Sequence, residues 1–407
     1  MASPCTSPAV RTIKAYAVIP KPNPQAPSQF HLSAWDVSML SAHYIQKGLL
    51  FAHTPDLSIE QIIEQLRNSL AEALYHFYPL SGRLRTATCE GGGVTCHVEV
   101  KCEGDGAELV HAAADGIGIA DVVAVDGQDL PKFIKEFFPL DLAVNFDGCT
   151  HPLLAVQVTE LIGGFFIGCA LNHILGDGSS FWNFFTAWAE ITRCHIAGKE
   201  VVLSQTPSHD RWFLGGYGEP PIKLPFSSPE EFIVRYSLPP LRLRMFHFSS
   251  ESLAKLKTRA NQECGKEELL DNNLGWAAWL VHQIVSNHTD SAIRDKLHKY
   301  MEHPIVYNMR MRDNHSIMIG SSPRFNMYGC NFGWGKALAV RSGSENKYDG
   351  KITAYPGWEG GGSVDLEVSL SPEFMSALER DEEFLRVVSR PIDVNVLLEM
   401  SSKQFSQ

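Results

Sequence analysis

The sequence predicts an α/β protein of two domains, and three observations lead to this fold class. Residues 165–188 pass from strand-forming apolar residues through a glycine-containing turn into an amphipathic helical pattern. Residues 58–77 carry a second helical pattern, and residues 94–100 alternate between apolar and polar as a half-buried strand does. Between residues 198 and 240 the composition shifts to proline and glycine, which divides the chain of 407 residues into two parts of domain size.

Composition and charge narrow the possible functions. Hydrophobic residues make up 44% of the chain and charged residues 20%, which is ordinary for a globular protein. The net charge of -11 argues against nucleic-acid binding, because phosphate binding needs a broad basic surface. The nine cysteines show no disulfide-framework spacing, and neither a signal peptide nor a membrane-spanning apolar stretch is recognisable. We therefore expect a cytoplasmic protein that binds neither nucleic acid nor a membrane.

The first segments of the chain predict a strand followed by a helix. Thr12–Ile19 is rich in strand formers and ends at a run of prolines, which forces an extended connection. Ser58 and Gln61 form a capping box at the start of the helical pattern that continues to Phe77.

Two hairpins follow the helix. The triple glycine at 91–93 predicts a turn that leads into the strand over 94–100. Leu153–Thr159 and Phe165–Leu171 are predicted to pair as the second hairpin. The stretch 104–129, which lies between the two hairpins, is acidic and contains several glycines. It therefore predicts surface loops with short helical pieces.

The second part of the chain predicts a further set of strands and helices. Arg242–Phe248 alternates like a strand, and Ser250–Gln262 has helical spacing of its leucines. Pro304–Arg310 and Val364–Leu370 are predicted strands, and Ser371–Leu378 is the predicted start of a helix.

His173 is the candidate functional residue that the local pattern isolates. It follows the strand Phe165–Leu171 and precedes a turn in which Gly176 and Gly178 permit backbone angles closed to other residues. Asp177 is a good N-cap for the helix that begins next. A histidine held between a strand and a helix is suited to act as a general base, because its usual pKa lies near neutrality.

Two other interpretations of His173 remain open from spacing alone. The histidine can be a core residue whose neighbour Asp177 merely caps a helix. Alternatively, His173 and Asp177 can share a metal ion, since ligands four residues apart can reach one site, but no third ligand is recognisable nearby.

Three motifs resemble those of one enzyme family. The run His173–Gly178 resembles the HxxxDG motif of the plant BAHD acyltransferases, which move acyl groups from coenzyme A thioesters to alcohols or amines. Asn331–Lys336, which reads NFGWGK, resembles the family's DFGWGK signature, and Tyr78–Leu84 resembles its YPLAGRL-type segment. Nonribosomal peptide condensation domains share the fold but carry HHxxxDG, and Asn172 stands here in the place of their first histidine.

The resemblance implies a site as well as a reaction. His173 is the expected general base, an acyl-CoA is the expected donor substrate, and a small-molecule hydroxyl or amine is the expected acceptor; no cofactor or metal is implied. Arg324 and Lys336 are candidate contacts for the coenzyme A phosphates. The resemblance implies a structural role in support of the site for Asp177, Gly178, Asn331, Gly333, Trp334 and Gly335. The loop of the second signature is expected to shape the second domain and the coenzyme A side of the tunnel without doing chemistry.

The resemblance also implies the domain organisation. We expect two chloramphenicol-acetyltransferase-like domains, each a mixed sheet flanked by helices, with the active-site tunnel between them. The first domain is predicted over 1–197, the crossover over 198–240 and the second domain over 241–407. Because the tunnel lies within one chain, we expect a monomer.

The chain departs from the family pattern at the start of the second domain. We expect several dozen residues of the family pattern to be missing near 264–268, immediately after Gly265, including a strand whose arginine pairs in the family with the motif aspartate. Asp177 is therefore expected to lack its partner, and a buried unpaired carboxylate is costly. Asn331 also replaces the aspartate of the second signature. These departures keep open a non-catalytic relative, a repurposed enzyme such as a lyase, and a faulty gene model of an ordinary transferase.

Overall fold

Strands and helices are interleaved along the chain in the computed structural model, as the predicted α/β class requires. The structure describes residues 10–54, 56–101, 105–123, 128–216, 220–237, 239–263, 274–313, 316–390, 393, 395–397 and 399. The described strands are β1 (Val10–Val18), β2 (Gln29–His31), β3 (Ile45–Ala52), β4 (Arg83–Thr88), β5 (Val94–Glu99), β6 (Ala107–Gly118), β7 (Leu154–Ile162), β8 (Gly164–Leu171), β9 (Lys223–Leu224), β10 (Arg242–Phe248), β11 (Met318–Gly320), β12 (Ala339–Ser342), β13 (Lys351–Pro356) and β14 (Val364–Leu370). The described helices are α1 (Ala34–Ser38), α2 (Ile59–His76), α3 (Ile119–Val123), α4 (Gly178–Ile196), α5 (Ser250–Glu263), α6 (Leu274–Ser286), α7 (Asp290–Glu302), α8 (Pro372–Leu378) and α9 (Glu382–Leu385).

The largest sheet has six strands in the order β1-β6-β7-β8-β3-β12. Only β6 and β7 pair in parallel within it; the other neighbours are antiparallel. Every residue of β8 is buried, because one face of the strand packs in the core with α2 and α4 and the other packs against Phe137 and Phe138. The edge strand β12 comes from the C-terminal part of the chain, so that part contributes a strand to the six-stranded sheet.

Helices α2 and α4 pack together over this sheet. The indole nitrogen of Trp188 in α4 donates to the hydroxyl of Ser69 in α2 at 3.1 Å, and the Thr192 hydroxyl donates to the same oxygen at 2.7 Å. Burial of their apolar faces with the strands forms the largest core cluster. The sheet therefore carries β8 and α4, the two elements on either side of His173, in a rigid setting.

Two smaller sheets complete the described architecture. Strands β10-β14-β13-β11 form one, in which only β11 and β13 pair in parallel. Strands β2-β5-β4 form the other, and β9 pairs with β5.

The structure confirms the helix and the hairpins predicted for the first part of the chain. At the start of α2 the Ser58 hydroxyl accepts from the Gln61 N–H at 3.3 Å, and the Gln61 side chain accepts from the Ser58 N–H at 2.8 Å. Strands β4 and β5 form the first hairpin, and β7 and β8 form the second, with Gly163 at a φ of 83° in its turn. The predicted strands over 242–248 and 364–370 and the two predicted helices also form.

Two sequence predictions were wrong. The stretch 104–129 was predicted as surface loops, but it contains β6, which pairs with β1 on one side and β7 on the other. Its run of alanines has low strand propensity, so pairing with both neighbours decides its conformation. Pro304–Arg310 was predicted as a strand but pairs with no strand among the described residues; the Tyr307 N–H donates instead to the Ser38 carbonyl of α1.

The junction after Gly265 lies outside the described residues, and its length stays a prediction. The boundaries 1–197, 198–240 and 241–407 also stay a prediction. Residues 198–240 contain β9 and a short 3-10 helix at Pro229–Glu231 but are otherwise irregular where the structure describes them, as the proline content predicted.

Candidate active site

His173 is the second residue after β8, and a buried asparagine fixes its backbone. The side chain of Asn145, which is fully buried, accepts a hydrogen bond from the His173 N–H at 2.8 Å. The neighbouring Asn172 donates its side-chain amide to the Asn145 carbonyl at 2.8 Å and accepts from the Ile174 N–H at 3.2 Å. These bonds satisfy the polar groups of a buried turn and hold the histidine in one position.

Asp177 caps the helix that follows the turn. Its carboxylate accepts from the Ser180 N–H at 2.9 Å and from the Ser180 hydroxyl at 3.1 Å, as an N-cap residue does. The side chain is exposed, so the expected penalty of a buried unpaired carboxylate does not arise. Asp177 thus has a structural contact of the kind that the sequence predicted, made with the helix backbone instead of an arginine.

A cavity of about 180 Å³ lies beside His173. The half-buried histidine borders it together with Gly178, whose absent side chain leaves room; a Cβ there would lie 3.1 Å from the Phe325 ring. The lining comes from both parts of the chain: Ile45, Lys47, His173, Gly178, Phe181, Trp182, Gly320, Ser321, Glu345, Asn346, Lys351 and Thr353. His173 is therefore accessible to a small molecule and is not sealed in the core.

The surroundings of His173 favour the neutral imidazole. Burial lowers its pKa below the usual value of 6.5, and the nearby Lys47 ammonium lowers it further. The backbone of His173 and Gly176 and the Asp177 carboxylate raise the pKa in part without reversing the direction. At neutral pH the ring is thus unprotonated and able to accept a proton.

The sequence analysis missed the charged residues of the cavity wall. Lys47, Glu345 and Lys351 come from distant parts of the chain and border the same space as His173. Lys47 carried the one readable signal, because it is the one charged residue of the strand β3. Asn145 had no such signal, since its role depends on the tertiary approach of its loop to the turn.

The residues of the second signature do not border this cavity; they pack against the six-stranded sheet and its helices. Trp334 is almost fully buried, stacks on Phe332 with ring centroids 5.4 Å apart and donates its indole N–H to Gln65 of α2 at 3.3 Å. The Asn331 side chain accepts from the Gly333 N–H at 2.8 Å, which closes a tight turn. Gly333 and Gly335 both adopt positive φ, 107° and 93°. In these residues the loop contacts the core of the first part of the chain. Its expected shaping of the second domain and of the coenzyme A side of the tunnel stays a prediction.

The two candidate phosphate contacts do not border the cavity of His173. The Lys336 ammonium donates to the Trp358 carbonyl at 2.5 Å and lies 3.9 Å from the centroid of the Trp358 ring, and burial lowers its pKa. Arg324 is exposed and follows β11 in the chain. Their contact with coenzyme A stays a prediction.

The described residues give no support to a metal site. No group of three or more histidine, cysteine, aspartate or glutamate side chains is placed there to hold a metal ion. None of the helices described is long and apolar enough to cross a membrane.

The chain matches one family model and several known proteins. A family model described as the transferase family matches residues 9–267 and 254–385. An uncharacterised acetyltransferase of Arabidopsis thaliana is 30% identical over 437 residues, covering 89% of this chain and 95% of the relative. The BAHD acyltransferase DCR of Arabidopsis thaliana is 28% identical over 440 residues, covering 88% of each protein. Both alignments are longer than the chain, so the relatives contain segments without a counterpart here.

A solved structure has a similar fold at low sequence identity. The structure of TRI101 from F. sporotrichioides, complexed with coenzyme A and T-2, matches with a TM-score of 0.65 and 14% identity over 89% of this chain and 99% of that chain.

Proposed function

The chain belongs to the BAHD acyltransferases of the transferase family, and from this membership we propose that it transfers an acyl group from an acyl-CoA to a hydroxyl or amine of a plant specialised metabolite. Its mixed sheets flanked by helices form the chloramphenicol-acetyltransferase-like α/β fold that the motifs implied. The acyl-CoA is a co-substrate, and the proposal requires no resident cofactor.

The observation that carries the proposal is the position of His173. A neutral imidazole at the end of β8 borders a cavity that both parts of the chain line. In the proposed reaction His173 takes the proton of the acceptor hydroxyl or amine while the acceptor oxygen or nitrogen attacks the thioester carbonyl. The tetrahedral intermediate collapses, the carbon–sulfur bond breaks, and the imidazolium returns the proton to the departing thiolate.

The comparisons support this chemistry without selecting the substrates. Fatty alcohol:caffeoyl-CoA acyltransferase of Arabidopsis thaliana is named for an alcohol acceptor, and a similar oat protein is named as an N-hydroxycinnamoyltransferase. Both O- and N-acylation are thus open for this chain. The solved structure with bound coenzyme A supports acyl-CoA as the donor.

Two further proposals concern the protein in the cell. We place it in the cytoplasm, because its cysteines lack disulfide-framework spacing. We propose a monomer, because the cavity at His173 is built within one chain; a dimer by light scattering would contradict this.

The alternative function is a non-catalytic or repurposed relative. The family model matches in two parts that overlap at residues 254–267, which include part of the segment 264–268 predicted to be shortened. If the missing residues are needed to bind coenzyme A, His173 has no donor to act on. The cavity beside His173 argues for the transferase.

One experiment separates the two functions. The purified chain is incubated with a panel of acyl-CoA thioesters and a plant metabolite extract while free thiol is followed, with His173→Ala as the control. Thiol release that requires both an acceptor and His173 supports acyl transfer, and the product mass identifies the substrates. No thiol release, together with no thermal stabilisation by coenzyme A, contradicts it.

A further inference from the structure

Two buried ion pairs lie at the cavity of His173, one in its wall and one behind that wall. Lys47 and Glu345 pair at its surface and are 8% and 7% exposed. Lys347 and Glu367 pair within electrostatic range of them and are 3% and 2% exposed. Burying charged groups is costly unless they are matched, so the balance of charge within this cluster matters.

The inner pair has all the partners it needs. Glu367 accepts from the Ser342 hydroxyl at 2.8 Å and from the Tyr355 hydroxyl at 3.2 Å in addition to Lys347. The Lys347 ammonium also contacts the Ser342 oxygen at 2.6 Å. This part of the cluster is therefore structural.

Lys351 is the third lysine of this cluster and, with Lys47, the second that borders the cavity. Within the described part of the chain its ammonium makes no ion pair and no hydrogen bond. Burial lowers its pKa to about 8; Lys47 and Lys347 lower the pKa further, and the charges of Glu345 and Glu367 offset this in part. Three lysines thus face two glutamates.

Glu345 does not reverse this imbalance. Burial raises its pKa, although Lys47 and Lys347 act in the opposite direction, and its second carboxyl oxygen has no hydrogen-bond partner among the described residues. With three lysines and two glutamates, the cluster carries one positive charge in excess.

We propose that Lys351 is the centre of an anion subsite that binds a carboxylate of the substrate next to His173. The carboxylate belongs either to the acyl group, as in a dicarboxylic monothioester, or to the acceptor, as in a hydroxy acid. A single excess charge matches a carboxylate better than a phosphate monoester, which carries close to two charges at neutral pH. The inference names a substrate class for the proposed transferase and so rests on that function.

Two variants change the subsite in different ways. Lys351→Met removes the charge and keeps the length of the side chain; because the lost charge was unpaired and partly buried, the fold is expected to remain stable. Gly320→Ala keeps the lysine but displaces it, since a Cβ at position 320 would lie 2.5 Å from the Lys351 ammonium. Lys255→Met, on the exposed face of α5, is the matched control.

The test measures binding by titration calorimetry with two pairs of probes. Succinyl-CoA is compared with butyryl-CoA, and 4-hydroxybenzoate with its methyl ester, so that each pair differs in one carboxylate. In one of the two pairs, we expect the member with the additional carboxylate to bind at least about tenfold more tightly. Both subsite variants should remove that preference. The pair that discriminates identifies whether donor or acceptor carries the carboxylate. The absence of a preference in the wild type, or its persistence in both variants, would overturn the subsite.

Thiol release, measured separately, distinguishes this inference from the proposed function. If the protein prefers the probe with the additional carboxylate but releases no thiol, the subsite stands and acyl transfer is refuted. If it releases thiol but shows no such preference, acyl transfer stands and the subsite is refuted.

Discussion

The side-chain oxygen of Asn145 accepts a hydrogen bond from the backbone N–H of His173 at 2.8 Å. The amide of the same side chain donates to the Met39 carbonyl at 2.7 Å. One buried asparagine therefore joins the candidate base to the segment that leads into β3, and the position of His173 depends on a residue 28 positions earlier in the chain.

Asn145→Ala is expected to destabilise the protein and to reduce activity together. The substitution leaves the His173 N–H without a partner and removes one of two hydrogen bonds to the Met39 carbonyl, which still accepts from the Ala42 N–H at 3.0 Å. A buried unpaired group costs about 1–3 kcal/mol and a lost hydrogen bond about 1 kcal/mol, so we expect the free energy of unfolding, from urea denaturation, to fall by roughly 2–4 kcal/mol. Asn287→Ala, at an exposed position, is the control and should leave it unchanged. An unaltered stability of Asn145→Ala would show that the two bonds are dispensable.

The pH dependence of kcat/KM should reveal the lowered pKa of His173. Only the unprotonated ring can accept a proton, so activity should be constant near neutrality and decrease as the pH falls through the folded pKa, which lies below 6.5. Lys47→Met removes a charge that lowers this pKa, so its acid limb should move to higher pH. Lys255→Met should leave the profile unchanged. A midpoint at or above 6.5 in the wild type would contradict the environment described for His173.

The same pKa shift predicts a pH-dependent stability. Because the folded pKa of His173 is below its unfolded value, the unfolded chain binds the proton more readily. The contribution of His173 to the free energy of unfolding is thus complete above 6.5 and is lost as the pH falls from there through the folded pKa. The measurement is denaturant unfolding of the wild type and of His173→Gln at several pH values; a difference between the two that does not vary with pH would refute it.

Local signals in the sequence predicted much of the fold and the position of His173 between a strand and a helix. The capping box at Ser58 and Gln61 and the turn before α4 act within a few residues, so their patterns are readable. Strand β6 was missed because its alanines favour no strand until β1 and β7 pair with it.

The charged wall of the cavity was not readable for a related reason. Lys47 lies on β3, whereas Glu345 and Lys351 lie some three hundred residues later, and only the folded chain brings them to one cavity. Similarly, Asn145 reaches His173 through tertiary contact. Motifs therefore identified the residue that performs the proposed chemistry, and not the residues that position it or select its substrate.

Asn331 offers a test of the altered second signature. Its side-chain oxygen accepts from the Gly333 N–H, and a carboxylate oxygen can make the same bond. Asn331→Asp, which restores the family residue, should therefore change the free energy of unfolding by less than about 0.5 kcal/mol. Asn331→Ala loses the bond and should cost about 1 kcal/mol. A large stabilisation by Asn331→Asp would instead indicate a charge partner for the aspartate.

Asp177→Ala distinguishes a helix cap from a participant in the reaction. The carboxylate is exposed and bonds only to Ser180 among the described residues, so its removal should lower the free energy of unfolding by about 1 kcal/mol. The loosened turn should lower kcat by less than about tenfold, far less than His173→Ala, because general-base catalysis is worth about 10²–10⁴-fold. Asp381→Ala is a matched control, since Asp381 caps α9 through the Phe384 N–H at 2.9 Å. It should lower stability comparably and leave kcat unchanged. If Asp177→Ala removes activity as completely as His173→Ala while the fold persists, the aspartate acts on the reacting groups, and the capping role alone is insufficient.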